Sequence, residues 1–208
     1  MDSPPAIAGI ILAAGASTRM GRPKQLLDWG GRPLVRAVAE QALAAQLDRV
    51  LAVVGSAEGA VVAALEGLPL RIVANPAYAE GQSSSLRAGI AALGPEVAAA
   101  LILLGDQPFV TAAIIDRIVA VWRTTGAPIV APLYQGQRGN PVLFARAVFP
   151  ELLAVTGDQG ARALLAADPA RVHLVPFDDP RPLADIDTPE EYARLAPTHG
   201  AAEQRSAP

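Results

Sequence analysis

Three cationic side chains and two glycines follow the first apolar run of the chain, in the segment LAAGASTRMGRPKQLL from Leu12 to Leu27. Gly15 and Gly21 allow the backbone to approach a ligand closely, and consecutive N–H groups in such a loop form an anion-binding concavity. Arg19 and Lys24 add charged donors that suit phosphate oxygens. Neither the GxxxxGKS/T nor the GxGxxG spacing is present. The residues alone therefore leave two alternatives, an anion site of unidentified kind or a solvated turn.

Two other segments carry carboxylates at positions that suit a metal ion. Asp106 follows the apolar run of LILLGDQP, and ADIDTPEEY holds Asp185 and Asp187 on either side of one isoleucine. Mg²⁺ takes oxygen ligands and commonly uses one or two protein carboxylates together with phosphates and waters. Each segment also has a structural explanation, since an aspartate after a strand often caps a turn and Thr188 with Pro189 is an ordinary helix start. The residue types predict a metal site and leave the choice between Asp185 and Asp187 open.

Polar residues in later segments suit the binding of ribose or of a second phosphate. In NPAYAEGQSSSLRAGI, from Asn75 to Ile90, three serines precede an amphipathic helix. Hydroxyl and N–H groups at a helix start bind such ligands, whereas a plain N-cap accounts for only one serine. In TGDQGAR, Asp158 is of a residue type that caps helices.

Alternating apolar runs and helical patterns predict the scaffold that positions these segments. Ile7 to Ala13 and Arg49 to Gly55 have the nearly continuous apolar character of strands buried on both faces, and Pro33 suits the first turn of a helix that runs between them to about Leu47. The other predicted elements are helices near Ala57 to Leu65, Ser84 to Leu93, Thr111 to Trp122, Ala145 to Leu153, Asp158 to Ala167 and after Thr188, and strands in LRIVANP, AALILLG, APIVAP, NPVLF and VHLVPF. This order predicts a single-domain, Rossmann-like, doubly wound α/β fold with a mostly parallel sheet and helices on both faces.

The domain is expected to cover residues 1–195, followed by a disordered tail at 196–208. Within it, Gly136 to Asp168 is expected to form a small rim of inserted elements over the edge of the sheet. Ligands of open α/β sheets bind beyond the carboxyl ends of the strands. The loops that are therefore expected to converge on the site begin at Ala14, Asn75, Gly105 and Ala131.

The composition of the 208 residues excludes several classes of protein. Cysteine is absent, which excludes disulfides, thiolate metal sites and cysteine nucleophiles. The formal net charge of −3 argues against a broad nucleic-acid surface. No apolar stretch is long enough to cross a bilayer, and no basic segment precedes the first one. A cytoplasmic protein that has neither nucleic acid nor a membrane as a partner is expected.

The pattern LAAGxSxRMGxPKxLL resembles the signature of the nucleotidyltransferase family that includes the molybdenum cofactor guanylyl- and cytidylyltransferases. The resemblance extends from Ile7 to about Leu195, and it implies that the loop wraps a nucleoside triphosphate. The residues that it assigns to the base and ribose are Leu12, Ala13, Ala14 and Gly15. Those that it assigns to the phosphates are Ser17, Arg19 and Lys24. Arg19 and Lys24 are thereby implied to be catalytic, because they offset the charge of the triphosphate.

The same resemblance extends to the carboxylates. GDQP is similar to the metal motif of the family, which implies that Asp106 is catalytic and binds Mg²⁺. A D-x-D-T-P segment reaches back to the metal in relatives, and by that match we prefer Asp187 to Asp185 as the second ligand.

Two features resemble the cytidylyltransferase branch in particular. The serine-rich segment is similar to N-x4-G-x-S-S-S-L of that branch, which implies nucleotide binding by Asn75, Gln82, Ser83 and Ser84, with Asn75 holding the loop. The branch also commonly has LAAG where the guanylyl branch has LAGG. The extra methyl group of Ala14 would reduce the room for a purine.

QRGNPVLF and TGDQGAR resemble the acceptor-side segments of that branch, RGHP and GDxGAR, with Asn140 in place of the usual histidine. The acceptor-binding residues implied by the resemblance are Arg138, Gly139, Asn140, Asp158 and Arg162.

The implied reaction is transfer of CMP from MgCTP to the terminal phosphate of molybdenum-bound molybdopterin, with release of pyrophosphate. A phosphate acceptor is already ionised, so no general base is required, and His173 and His199 lie away from every motif. Three alternatives remain: guanylyl transfer to the same pterin, cytidylyl transfer to another small phosphate, and a non-catalytic carrier or insertion chaperone for the finished cofactor. A molybdenum hydroxylase that receives the product is an expected partner.

Overall fold

The apolar runs of the sequence form the strands of one eight-stranded sheet in the computed structural model, which describes residues 5–17, 20–158, 160–184 and 186–197. The strands are β1 (Ala6–Ala13), β2 (Arg49–Val54), β3 (Arg71–Ala74), β4 (Val97–Leu104), β5 (Ile129–Tyr134), β6 (Gln137–Arg138), β7 (Val142–Ala145) and β8 (Val172–Phe177). The α-helices are α1 (Leu34–Ala44), α2 (Glu58–Ala64), α3 (Gln82–Ala91), α4 (Ala112–Thr125), α5 (Phe149–Ala154), α6 (Arg162–Ala167) and α7 (Pro189–Leu195).

The sheet is mostly parallel, with β1 in its interior. β1 pairs in parallel with β2 on one side and with β4 on the other, and β3 pairs in parallel with β2. β7 lies antiparallel between β4 and β5, and β8 pairs in parallel with β5. The predicted class, a single-domain and mostly parallel α/β fold, is confirmed.

Both faces of the sheet are covered by helices. Since successive side chains of a strand point to opposite faces, one strand contributes to both cores. Ile7 and Ile11 of β1 belong to the core that contains α1 and α4, whereas Ile10 belongs to the core that contains α3 and α5. Gly89 allows α3 to approach β1 closely, since an added Cβ there would lie 2.6 Å from Cγ2 of Ile10. The apolar character of β1 is therefore explained by burial on two sides.

One expectation about this fold was wrong. Gly136 to Asp168 was expected over the edge of the sheet, but β7 lies inside it. Val142, Leu143 and Phe144 are all buried, and a strand whose consecutive side chains are apolar needs cover on both faces. Both β6 and β7 pair with β5, β6 at its carboxyl end and β7 at its start. This pairing brings Arg138 back toward the carboxyl end of the parallel strands.

Helix starts follow the predicted capping residues. The Thr111 hydroxyl accepts a hydrogen bond from the Ile114 N–H at 3.4 Å, and Thr188 begins α7. α1 ends at Ala44, before the expected Leu47. Residues 198–208 of the predicted tail, including His199, lie outside the described residues. In the described part of the chain, no helix has the length and apolarity needed to span a membrane.

Candidate functional site

The loops that follow β1 and β4 border a cleft of about 550 Å³ at the carboxyl ends of these strands, here called the first cleft. The segment between β3 and α3 forms the opposite wall of this cleft, and Asp187 completes the lining. Loops from three of the four predicted positions therefore converge. The sequence-predicted residues that line the first cleft are Leu12, Ala14, Gly15, Ser17, Lys24, Gln82, Asp106, Asp158 and Asp187.

The loop after β1 contains backbone N–H groups that have no hydrogen-bond acceptor among the described residues. Within the described part of the chain, the N–H groups of Gly15, Ala16 and Ser17 have no protein acceptor. The carbonyl oxygens behind them are occupied, because Gln25 Nε2 donates to Gly15 at 3.0 Å and the Ser56 N–H donates to Ala14 at 3.2 Å. Consecutive unpaired N–H groups form an anion-binding concavity, which agrees with the predicted character of this loop.

Two predicted residues of this loop, Ala13 and Arg19, are not among the described residues that line the first cleft. Ala13 was expected to border the base, but its methyl group is in the core on the other face of β1, because side chains alternate along a strand. Arg19 lies outside the described residues. Lys24 stands in a short 3₁₀ helix, Lys24–Leu26, that directs its side chain toward the cleft.

The Lys24 ammonium contacts both predicted carboxylates. Its Nζ lies 2.8 Å from Oδ2 of Asp106 and 2.6 Å from Oδ1 of Asp187. Burial by itself would lower the pKa of Lys24, but attraction and hydrogen bonding from Asp106 and then Asp187 outweigh it, and the pKa is raised above its usual value. Lys24 is therefore fully charged at neutral pH, and it brings together carboxylates that are distant in sequence.

The backbone at Asp187 is held by the start of α7. The Glu191 carboxylate accepts the N–H groups of Asp187 and Thr188, both at 2.9 Å, while the Thr188 hydroxyl accepts the Glu191 N–H at 3.2 Å. This reciprocal capping box fixes the turn that presents Asp187. The Tyr192 hydroxyl donates to the Asp28 carbonyl at 2.6 Å, which ties α7 to the segment after the loop.

The donor chemistry of this pair suits a hard divalent cation. Asp106 and Asp187 supply carboxylate oxygens that already converge on one cationic atom, Nζ of Lys24. The described residues contain no cluster of three or more His, Cys, Asp or Glu side chains that could hold a metal. A cation bound by these two carboxylates would therefore complete its coordination with ligand or water oxygens, as Mg²⁺ commonly does. Asp185, the other predicted ligand, lies outside the described residues.

The serine-rich segment lines the first cleft with a serine other than those expected. Asn75 is buried and donates to the hydroxyls of Ser84 at 2.9 Å and Ser85 at 3.0 Å, so it holds the loop against the helix. Ser83 and Ser84 are buried and do not line either cleft, whereas Gln82 and Ser85 line the first. Residues three apart share one face of a helix, which explains why Gln82 and Ser85 point the same way.

A second cleft of about 710 Å³ shares Leu12, Gln82 and Leu104 with the first. Its floor is apolar and includes Phe144 and Leu165. The sequence-predicted residues that line it are Arg138, Gly139, Asn140 and Arg162. The Arg138 guanidinium donates to the Leu165 carbonyl at 3.0 Å across the cleft, and the Tyr134 hydroxyl donates to the Asn140 carbonyl at 2.8 Å.

Asp158 differs from the other predicted acceptor-side residues, because it lines the first cleft and not the second. Gly81, with φ of +99°, makes this possible, since a Cβ at Gly81 would overlap the Asp158 carboxylate. The Ser83 N–H donates to the Gly157 carbonyl at 3.1 Å, which docks this segment on the start of α3. The position of Asp158 in the sequence does not reveal that its segment docks on the start of α3.

Several lining residues were not predicted. Gln25, Tyr78 and Ser85 line the first cleft. Gln25 had a signal in the sequence, because an amide side chain stands alone among the leucines of KQLL. Ser85 is the third serine of a run at the start of α3. The rotation of the helix determines which of the three serines faces the cleft.

Comparison with known proteins places these clefts in a recognised family. Residues 9–173 match the MobA-like NTP transferase domain. The chain is 34% identical to nicotine blue oxidoreductase of Paenarthrobacter nicotinovorans over 92% of its length and 97% of that protein. It is 34% identical to molybdenum cofactor guanylyltransferase of Rhodobacter capsulatus over 90% and 94% of the two chains. It is also 28% identical to molybdenum cofactor cytidylyltransferase of Escherichia coli, again over 90% and 94%.

Solved structures agree with the fold. Rv0371c of Mycobacterium tuberculosis superposes with a TM-score of 0.84 at 33% identity, over 93% of this chain and 98% of that one. A structure of the same protein in complex with manganese superposes with a TM-score of 0.79 at 32% identity, over 92% and 98% of the two chains.

Proposed function

Since the chain belongs to the MobA-like NTP transferase family and is a nucleotidyltransferase, we propose that it transfers CMP from MgCTP to the terminal phosphate of molybdenum-bound molybdopterin. The products are the cytosine dinucleotide cofactor and pyrophosphate. The observation that carries this proposal is the meeting of Lys24, Asp106 and Asp187 on the wall of a cleft that opens into a second one. Relatives named as molybdenum cofactor guanylyl- and cytidylyltransferases support the choice of a pterin acceptor.

The first cleft takes the nucleoside triphosphate. The N–H groups of Gly15, Ala16 and Ser17 bind its phosphates, and Arg19 and Lys24 add positive charge. Ala14 favours cytosine over guanine, because its methyl group lines the cleft and cannot retreat. A Cβ at Gly55 would lie only 2.8 Å from the Cβ of Ala14, which shows how closely the chain packs behind it. Gln82 and Ser85, on the facing helix, complete this cleft.

The second cleft takes the acceptor. Its apolar floor suits a flat ring system, and Arg138 and Arg162 suit the attached phosphate. The shared wall at Leu12, Gln82 and Leu104 brings the acceptor phosphate next to the triphosphate.

In the reaction, an acceptor phosphate oxygen forms a bond to the α-phosphorus of the triphosphate while the bond from that phosphorus to pyrophosphate breaks. The acceptor oxygen is already anionic, so no proton has to be removed from it. The chain contributes positioning and charge neutralisation, which account for most of the catalysis in transfers of this type. A divalent cation held by Asp106 and Asp187 supplies further neutralisation of phosphate charge.

We propose Mg²⁺ as that cation, and the manganese complex of the neighbouring structure supports a divalent metal in this fold. A cation bound to Asp106 and Asp187 competes with the Lys24 ammonium for the same oxygens. Lys24 therefore keeps the two carboxylates together in the free protein, and it becomes available to phosphate oxygens when they bind a cation.

The test is pyrophosphate release with Mg²⁺ and each of CTP, GTP, UTP and ATP, with and without molybdenum cofactor. Release that requires both CTP and the cofactor supports the proposal. Release with GTP instead makes the protein a guanylyltransferase, and release with CTP and another phosphate acceptor changes the acceptor alone. No release under any condition favours the carrier that delivers finished cofactor to a molybdenum hydroxylase, which binding of the cofactor and transfer to that enzyme would then test.

A second candidate function is an oxidoreductase activity, which the 34% identity to nicotine blue oxidoreductase favours. Redox conversion of nicotine blue by the protein, without pyrophosphate release from any triphosphate, would replace the proposed transfer with this activity.

A further inference from the structure

Gln25 is one of the few polar side chains of the described residues that are almost completely buried, with 6% of its surface exposed. It directly follows Lys24 in the 3₁₀ helix and lines the first cleft. Its position beneath the loop after β1 raises the question of what a buried amide does there, because burying a polar group is costly unless it is hydrogen-bonded.

The Gln25 amide is used at both ends. Its Nε2 donates to the carbonyl of Gly15 at 3.0 Å and, over a longer 3.4 Å, to that of Ala13. Its Oε1 accepts the hydroxyl of Ser17 at 3.4 Å. The side chain thus joins the end of β1, the middle of the loop and the turn that follows it.

The same hydroxyl links the loop to the backbone of the next segment, since Ser17 Oγ accepts the Lys24 N–H at 3.0 Å. Ser17 has φ of +51°, a conformation that is uncommon for residues other than glycine and that needs support from its surroundings. Gln25 and Lys24 supply that support from one side of the turn.

These bonds orient one peptide plane of the loop in particular. The carbonyl of a residue and the N–H of the next residue point in opposite directions, so the Gly15 carbonyl, bound to Gln25, turns the Ala16 N–H away from the amide. The Ala16 N–H has no acceptor in the described part of the chain. Without the Gln25 amide, the Gly15 carbonyl keeps only the Ser56 hydroxyl, 3.0 Å away, as a partner, and this peptide plane is held less firmly.

We propose that Gln25 is a positioning residue, one that pre-forms the anion-binding loop without itself reacting. The inference rests on the proposed function in taking a triphosphate as the ligand of that loop. A side-chain amide can donate two N–H groups to carbonyl oxygens while its own oxygen accepts from a hydroxyl. A carboxylate would face two carbonyl oxygens, and a thioether of similar volume would bond to neither group.

The experiment compares Gln25→Met with the wild-type protein by titration with inorganic triphosphate and by steady-state kinetics. We expect the Kd for inorganic triphosphate and the KM for the nucleotide to rise about tenfold, while kcat falls much less, since pre-organisation of a bound loop is lost and the reacting groups remain. Gln25→Glu is expected to weaken triphosphate binding further.

Gln41→Met is the matched control. Gln41 Oε1 accepts the Ala112 N–H at 2.9 Å, and its side chain lines neither cleft. We expect this variant to lower the melting temperature with KM and the triphosphate Kd unchanged. If Gln25→Met behaves in the same way, Gln25 is merely structural and the inference is overturned.

If Gln25→Met does not fold, Gln25→Asn keeps the amide on a shorter stem that cannot reach both Gly15 and Ser17, and it must still weaken triphosphate binding. The outcomes also separate this inference from the proposed function. A wild-type protein that binds neither inorganic triphosphate nor any nucleotide contradicts the proposed function. Tight binding by the wild type and by both variants contradicts only the role of Gln25.

Discussion

The two clefts share Leu12, Gln82 and Leu104 along one wall, yet their polar groups are held in different ways. In the first cleft the charged groups bind each other, because Lys24 contacts both Asp106 and Asp187. In the second cleft the arginines are exposed at a rim above an apolar floor. On the proposed function, the first cleft would offer a fixed geometry for chemistry, whereas the second would select the acceptor by its shape and by a few exposed charges.

The largest effect is expected from a change in the first cleft that removes a carboxylate charge. Asp106→Asn should lower the rate of nucleotidyl transfer by about 10³-fold or more, because a carboxylate of the proposed cation site is lost, and with it the cation that would neutralise the reacting phosphates. Pyrophosphate release measures the rate, and an unchanged melting transition confirms folding.

Asp116→Asn is the control for this variant. Asp116 lies on α4, where its carboxylate accepts the Gln46 N–H, and it lines neither cleft. Normal turnover by Asp106→Asn would show that the first cleft does not hold the catalytic cation.

Replacement of Lys24 is expected to change the transfer rate and the cation affinity of the first cleft in opposite directions. Lys24→Met should slow transfer by about 100-fold, since a cation that neutralises phosphate is lost. The same variant should bind Mn²⁺ alone more tightly, because the ammonium no longer competes for the oxygens of Asp106 and Asp187. Electron paramagnetic resonance of free Mn²⁺ measures this affinity without nucleotide. Weaker Mn²⁺ binding than in the wild type would contradict the competition.

A change in the second cleft should affect the acceptor alone. Arg138→Ala is expected to raise KM for the acceptor about tenfold, because a charge-assisted contact to phosphate is removed. The KM for the nucleotide should stay the same. Arg123→Ala, which removes an exposed arginine of α4, serves as the control. An equal rise in both KM values for Arg138→Ala would mean that the clefts do not divide the substrates as proposed.

The smallest effect is expected for the choice of base. Ala14→Gly should shift the ratio of kcat/KM for CTP and GTP toward GTP by about three- to tenfold, as is usual when one methyl group changes the shape of a pocket. Competition between the two nucleotides in one reaction measures the ratio directly. A constant ratio would remove Ala14 from the set of specificity-determining residues.

Much of the scaffold could be predicted from the sequence because strands buried on both faces and capped helices leave local patterns. β1, β2 and β4 are continuous apolar runs, and Thr111 and Thr188 begin their helices as expected. The location of β7 could not be predicted in this way. A four-residue apolar run does not reveal whether it lies inside a sheet or at its edge, since that depends on pairing with distant strands.

Within the site, the expected lining residues differ from the observed ones because of the direction in which each side chain points. A shift of one residue turns a side chain to the other face of a strand, which separates Ala13 from Ala14. One residue along a helix rotates the side chain by about 100°, which separates Ser84 from Ser85. The contact of Lys24 with Asp187 joins residues 163 positions apart, and no local pattern in the sequence predicts it. The amide of Gln25 stands out among the leucines of KQLL, but its bonds to the Ala13 and Gly15 carbonyls depend on how the loop folds back, which residue types do not reveal.

The capping box at Glu191 has a consequence for the order of synthesis. The loop after β1 and Asp106 emerge early from the ribosome, but the turn that presents Asp187 is held by α7, near the C-terminal end of the described residues. A chain that is still being translated can therefore form the anion-binding loop while its second carboxylate is missing. Until α7 has been made and has docked through Tyr192 on Asp28, the nascent protein has only one of the two carboxylates of the proposed cation site.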